Sequence, residues 1–120
     1  MIDQNKKYDL EERTALFAER VRNFCLKLPK NVANSEYMSQ LIRAGSSPGS
    51  NYIEANESIG EKDLKMKIKT CRRESKESAY WLRLVITDGS KELEDERKYL
   101  RQEAREFVLI FTAILRKRGE

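Results

Sequence analysis

The sequence predicts an all-α protein, an antiparallel up-down-up-down four-helix bundle, with residues 1–120 forming a single domain. Charged residues make up 37% of the chain against 39% hydrophobic, with only 5 Gly and 2 Pro, a balance that suits long amphipathic helices and lacks the turn residues of a β fold. Four segments each carry one apolar stripe at helical spacing, which none can bury alone. The breaks between them are short, so consecutive helices are expected to lie side by side and antiparallel. A chain of 120 residues builds one small core, and no internal repeat or low-complexity stretch suggests otherwise.

Helix one starts from a capping-box-like pair, Asp9 and Glu12, after a loose stretch over residues 1–8. Leu10, Phe17, Val21, Phe24 and Leu28 then recur at steps of 7, 4, 3 and 4 until Pro29, predicting a helix over 10–28. Asn34 or Ser35 can cap helix two, which presents Met38, Leu41, Ile42, Tyr52, Ile53, Asn56 and Ile59 on one side and ends at Gly60. Pro48 falls in its interior, where it removes a hydrogen bond to the Ala44 carbonyl at a cost of about 3 kcal/mol. A break with Ser47 as cap and Pro48 as first residue is one solution. The apolar stripe keeps phase across the proline, however, so a continuous helix kinked at Pro48 is preferred. Helix three, about Lys62 to Thr87, carries Leu64, Ile68, Cys71, Ser75, Ser78, Leu82 and Val85 at alternating steps of 4 and 3 and stops at Gly89. Ser90 caps helix four, whose Leu93, Leu100, Ala104, Phe107, Phe111 and Ile114 continue to the Arg116-Lys117-Arg118 terminus. The expected core is Leu10, Phe17, Val21, Phe24, Leu41, Ile42, Ile53, Leu64, Ile68, Cys71, Leu82, Leu100, Phe107, Phe111 and Ile114.

Histidine is absent, which removes the commonest general base at neutral pH and the commonest metal ligand. No catalytic residue, cofactor or metal site is therefore expected. Gly45-Ser46-Ser47-Pro48-Gly49 spells the nucleophile-elbow pattern, but without a strand before it or a histidine partner the pattern is empty. Asn56-Glu57-Ser58 matches a glycosylation acceptor and lies on a predicted helix, a coincidence. The two cysteines, Cys25 and Cys71, sit in apolar-periodic contexts and read as buried free thiols of a reducing compartment. A polar start and the lack of any apolar run of membrane length predict a cytoplasmic protein with no membrane partner.

The sharper signal lies on helix three. Lys62, Lys65, Lys69, Arg72, Lys76 and Arg83 fall within about an 80° arc, away from the Leu64-Ile68-Leu82 stripe and with no acidic residue of the helix inside it. Residues 61–91 hold nine basic and five acidic side chains, the whole net charge of +4. Such a ridge attracts phosphates, with Arg72 and Arg83 able to grip them in bidentate fashion, although a solvated helix face would look similar. Arg116, Lys117 and Arg118 are explained by the helix macrodipole alone. Tyr80, Trp81 and Leu84 put large apolar surface beside the ridge, as base stackers or, more simply, as packing. On helix two, Gln40, Arg43, Ser47, Asn51, Glu54 and Ser58 form a low-charge second face, read as a polar seam between helices or subunits. Arg43 and Glu54 are expected to find partners on another helix, with Glu74 and Arg73 as candidates.

The run QLIRAGSSPGSNYIEANES, Gln40 to Ser58, and the block RRESKESAYWLRL, Arg72 to Leu84, resemble the four-helix-bundle proteins encoded in bacterial 23S rRNA intervening sequences. The specific part is Arg43, Ser47, Asn51 and Glu54 in helix two with Glu74, Glu77 and Trp81 in helix three, and the likeness covers nearly the whole chain. Pro48 departs from the family pattern, which more often has an aliphatic or small residue there. Members resemble the accessory protein of diversity-generating retroelements, a ring-forming bundle that binds nucleic acid and a reverse transcriptase. The resemblance thus implies a homo-oligomer, a pentamer, with a nucleic-acid-related role and no catalytic residues. Two function classes follow: a scaffold holding RNA or DNA by its backbone, and a protein-protein adaptor without nucleic-acid contact. No RNP motif, zinc knuckle or Gly-x-x-Gly clamp points to base recognition.

Overall fold

The computed structural model describes the backbone of residues 2–120 and the side chains from Leu10 onward. It has four helices, α1 (Ile2–Lys27), α2 (Val32–Asn56), α3 (Glu61–Leu84) and α4 (Lys91–Lys117), and no strand among the described residues. Each helix packs on the next and α1 closes against α4, the expected four-helix bundle, 45 Å in its longest extent. α1 begins well before residue 10. The helix backbone thus already runs through Asp9, which is not its cap, and through residues 2–8, where the sequence predicts a loose start.

The connections show where local sequence sets the element ends. Asn31, not Asn34 or Ser35, caps α2: its side chain accepts the Asn34 N–H at 2.8 Å. Asn34 is freed for a different task and is fully buried. Its Nδ2 donates to the carbonyls of Pro29 at 2.8 Å and Ile86 at 2.9 Å, while its Oδ1 accepts the Ile86 N–H at 2.8 Å. One side chain thus ties the α1–α2 loop to the α3–α4 loop. α2 ends at Asn56, earlier than expected, and Gly60, at φ +90°, instead leads into α3. α3 ends at Leu84 rather than Thr87, followed by a turn in which Asp88 (φ 54°) and Gly89 (φ 78°) adopt left-handed backbone. Ser90 caps α4 as expected, accepting the Leu93 N–H at 3.2 Å. The open carbonyls at the α3 end find a donor in Arg97, whose Nη1 reaches Leu82, Arg83 and Val85 at 3.0, 3.1 and 2.6 Å, satisfying groups that a helix terminus leaves unpaired.

The core is centred on Phe17, Phe24, Leu41, Leu82, Leu100, Phe107 and Phe111, with Phe17 edge-on to Phe107 at 5.3 Å. Two expected core residues are not in it: Ile42 is 44% and Ile53 53% exposed. The buried line of α2 is Leu41, Ala44, Gly45, Pro48, Tyr52 and Ala55. Each isoleucine follows a member of that line, and so stands about 100° away from it. Leu64 and Ile114 are only partly buried against the core.

Helix two is one helix through Pro48, with no break at Gly45–Ser47. Its middle carries small residues because neighbouring chains come close. A Cβ on Gly45 would stand 3.1 Å from Val21 Cγ1, and one on Gly49 would stand 3.0 Å from Thr14 Oγ1. Pro48 is buried, and its carbonyl accepts from the Cys71 thiol at 3.3 Å, tying α3 to α2 at the same level. Both cysteines are free and buried. Burial pushes the Cys25 thiol up to about 11 and the Cys71 thiol up to about 12.

Two stability predictions follow. Asn34→Ala strands a buried donor and two carbonyls, and is expected to cost about 2–3 kcal/mol, read as a lowered urea midpoint with an unchanged slope. Above about pH 8.5 the unfolded chain loses thiol protons that the folded chain retains to about 11 and 12. The unfolded state then binds fewer protons, so stability falls as pH rises through that window. A Cys25→Ala, Cys71→Ala variant should show a shallower decline between pH 9 and 11 in urea titrations.

Candidate nucleic-acid interface

The buried line of α3 is Ile68, Cys71, Ser75, Ser78 and Leu82. Ser75 and Ser78 return their hydroxyls to the carbonyls of Cys71 and Glu74, each at 2.8 Å, so small satisfied side chains face the bundle and the long cationic ones are left on the outside. Lys62, Lys69, Lys76 and Arg83 are exposed, and Lys65 and Arg72 half-buried. Tyr80, 54% exposed, falls in the same arc by helical register and meets Trp81 edge-on at 5.1 Å.

The ridge is less uniform than the helix alone suggests, because the chain end folds back onto it. Arg72 holds Glu120 with two hydrogen bonds, Nη2 to Oε2 at 2.7 Å and Nη1 to Oε1 at 3.3 Å. That pairing, with smaller contributions from Lys69 and Arg116, lowers the Glu120 carboxyl below its usual range. Spacing within α3 carries no signal for this contact, which joins residues 48 apart in sequence. Among the described residues, Lys62, Lys65, Lys69, Lys76 and Arg83 form no ion pair. Other bases of the region are engaged: Lys67 with Glu54 at 2.8 Å, Arg73 with Glu74 at 3.3 Å and Arg118 with Glu61 at 2.8 Å.

The polar seam on α2 is only partly as expected. Glu54 does reach another helix, but through Lys67 rather than Arg73 or Glu74. Arg43 stays on its own helix, donating to Gln40 Oε1 at 2.6 Å. Asn51 Nδ2 likewise bonds Ser47 at its Oγ, 2.9 Å, and its carbonyl, 3.0 Å. Glu74 is buried with Oε1 lacking a partner among the described residues, and half-buried Trp81 has an enclosed Nε1 without one among them. The Trp81 ring lies 6.1 Å from that of Tyr37, a packing contact between α3 and α2.

The other strong electrostatic feature joins α1 to α4. Arg13 binds Glu103 and Glu106 at 2.7 and 2.6 Å, Arg20 binds Glu96 at 2.6 Å, and Lys27 binds Glu92 at 3.2 Å. Arg20 also lies 3.8 Å over the Tyr99 ring. These contacts close α1 against α4. Among the described residues no cluster of metal-ligating side chains converges, and no helix is long and apolar enough to cross a membrane.

No protein-family model matches the chain, and no curated protein is similar to it. In fold it is similar to a solved structure described as a protein with unknown function from the S23 ribosomal protein family of Bacteroides thetaiotaomicron. The TM-score is 0.73 at 23% identity, covering 88% of this chain and 96% of that one. The likeness shows the four-helix fold.

Since Glu120 occupies Arg72, Glu120→Gln should return one cation to the ridge. If the ridge binds nucleic acid, the slope of log affinity against log salt is expected to steepen by roughly one, measured by fluorescence anisotropy with a labelled single strand.

Proposed function

We propose that this chain is a non-enzymatic, cytoplasmic, ring-forming bundle of the 23S rRNA intervening-sequence type, a homo-oligomer and by family likeness a pentamer, that holds a nucleic-acid backbone along α3. The observation supporting the reading is the row Lys62, Lys65, Lys69, Lys76 and Arg83, unpaired among the described residues on the outside of one straight element roughly 30 Å long. A row of uncompensated cations condenses phosphates and releases their counterions, with affinity and no base preference. Repetition around a ring would link several such rows into one avid surface. Exposed Ile42 and Ile53, on an α2 face poor in charge, supply surface for self-association.

The competing reading is an adaptor for another protein, favoured by the aromatic set Tyr37, Tyr80 and Trp81 and by those same isoleucines. Salt separates the two, because phosphate binding weakens steeply as ionic strength rises and apolar docking does not.

The test is a variant carrying Lys65→Glu, Lys69→Glu and Lys76→Glu, all off the buried line of α3. It should keep its helical circular dichroism while losing nucleic-acid affinity, with each neutralised contact reducing the salt slope by roughly one. A folded variant that binds RNA and DNA as tightly as its parent at every salt concentration would leave the adaptor reading in place.

A further inference from the structure

The α3-facing flank of α4 carries a cationic group separate from the lysine row. Arg97, Arg101 and Arg105 recur every four residues there, and with Lys98 they line an open cleft of about 520 Å³. Glu94 and Asp95 line it as well, Glu94 held by Arg97 and Thr87 and Asp95 by Lys91. Arg97 is also spent, on Glu94 and on the carbonyls at the end of α3. Arg105 gives one N–H to Gln102 Oε1 at 3.2 Å, and Arg83 on α3 and Lys98 have no partner among the described residues.

Arg101 is the unusual member. Its Nε is enclosed by the protein and hydrogen-bonds to nothing among the described residues. An enclosed guanidinium N–H without an acceptor is destabilising, and like charges around it add to the cost. Desolvation, then the charges of Arg105, Arg83 and Arg97, all disfavour its protonated form. The like charges around this side chain would be offset by a compact oxyanion that accepts from its outer Nη groups, which are neither enclosed nor paired among the described residues.

We infer that Arg101, with Arg105 and Lys98 beside it, is the centre of a phosphate-binding site in this cleft on α4. The inference goes beyond the lysine row: it is a focal site, whereas the row is a diffuse one, and it takes a phosphate group either free or as part of a nucleic-acid backbone. Guanidinium geometry distinguishes it from simple charge, since Arg can offer two parallel N–H groups to one phosphate and Lys cannot.

The experiment follows the arginine Nε–H signals of the full chain by ¹⁵N NMR during titration with inorganic phosphate, against sodium chloride at matched ionic strength. The Arg101 signal should shift and saturate with phosphate and stay still with chloride. Arg101→Lys, which keeps the charge, should weaken phosphate binding at least tenfold with unchanged circular dichroism, and Arg105→Ala several-fold. Equal shifts with both salts, or full binding by the folded Arg101→Lys chain, overturn the site. A single-stranded oligonucleotide that displaces phosphate from Arg101 identifies the backbone as its source. Phosphate that binds and is not displaced supports the site for the free anion and counts against nucleic acid there. An oligonucleotide that binds with the Arg101 signal unmoved leaves the lysine row standing and removes this site.

Discussion

Gly45 and Gly49 let α2 lie against α1 at a distance where added Cβ atoms would press on Val21 and Thr14, and the buried Pro48 between them carries the carbonyl that receives the Cys71 thiol of α3. This one stretch fixes how near α2 comes to both neighbours. The proline costs a backbone hydrogen bond, and it is tolerated where its ring is enclosed and the helix on either side is held by packing. With α2 so placed, Tyr52 reaches across to Phe111 on α4, ring centres 6.3 Å apart, and the core fills from both sides. Enlarging either glycine would force these helices apart and loosen contacts that lie far from the substitution.

Charge is sorted by helix flank. Arg13, Arg20 and Lys27 of α1 turn toward α4, where Glu92, Glu96, Glu103 and Glu106 receive them. Those carboxylates are therefore committed to one side of α4, and its other side, toward α3, is left to arginine. α3 in turn faces outward with lysine. A chain of modest net charge, +4, thereby presents cation-rich flanks on two adjoining helices. Exposed pairs of this kind contribute little to stability individually. Their larger effect is to determine which cations remain without a partner.

The helices were legible in the sequence because their stripes are long and in phase, and the ridge because its lysines share one face. The misplaced residues have a common physical origin. Ile42 and Ile53 looked like core by residue type, yet glycine, alanine and proline hold the buried line of α2, where close approach leaves no room for larger side chains. By residue type Asn34 and Ser35 read as caps, whereas Asn31 caps α2 and Asn34 serves a contact between loops. Glu120 and Arg101 could not be read at all. The first depends on the chain end returning to α3, and the second on α4 presenting its arginines to α3, both matters of tertiary placement.

The Asn34 clasp also constrains the order of assembly. Consecutive helices pair through short loops, so each hairpin, α1–α2, α2–α3 and α3–α4, involves mostly local contacts and forms quickly. Asn34 and Ile86 are 52 residues apart, at the open end of the α2–α3 hairpin, and their mutual hydrogen bonds become available only when those two helices are paired over their whole length. The clasp therefore belongs to the closing of that hairpin and not to its initiation. It acts as a latch that slows the escape of the finished bundle while leaving the first contacts near the α2–α3 loop untouched.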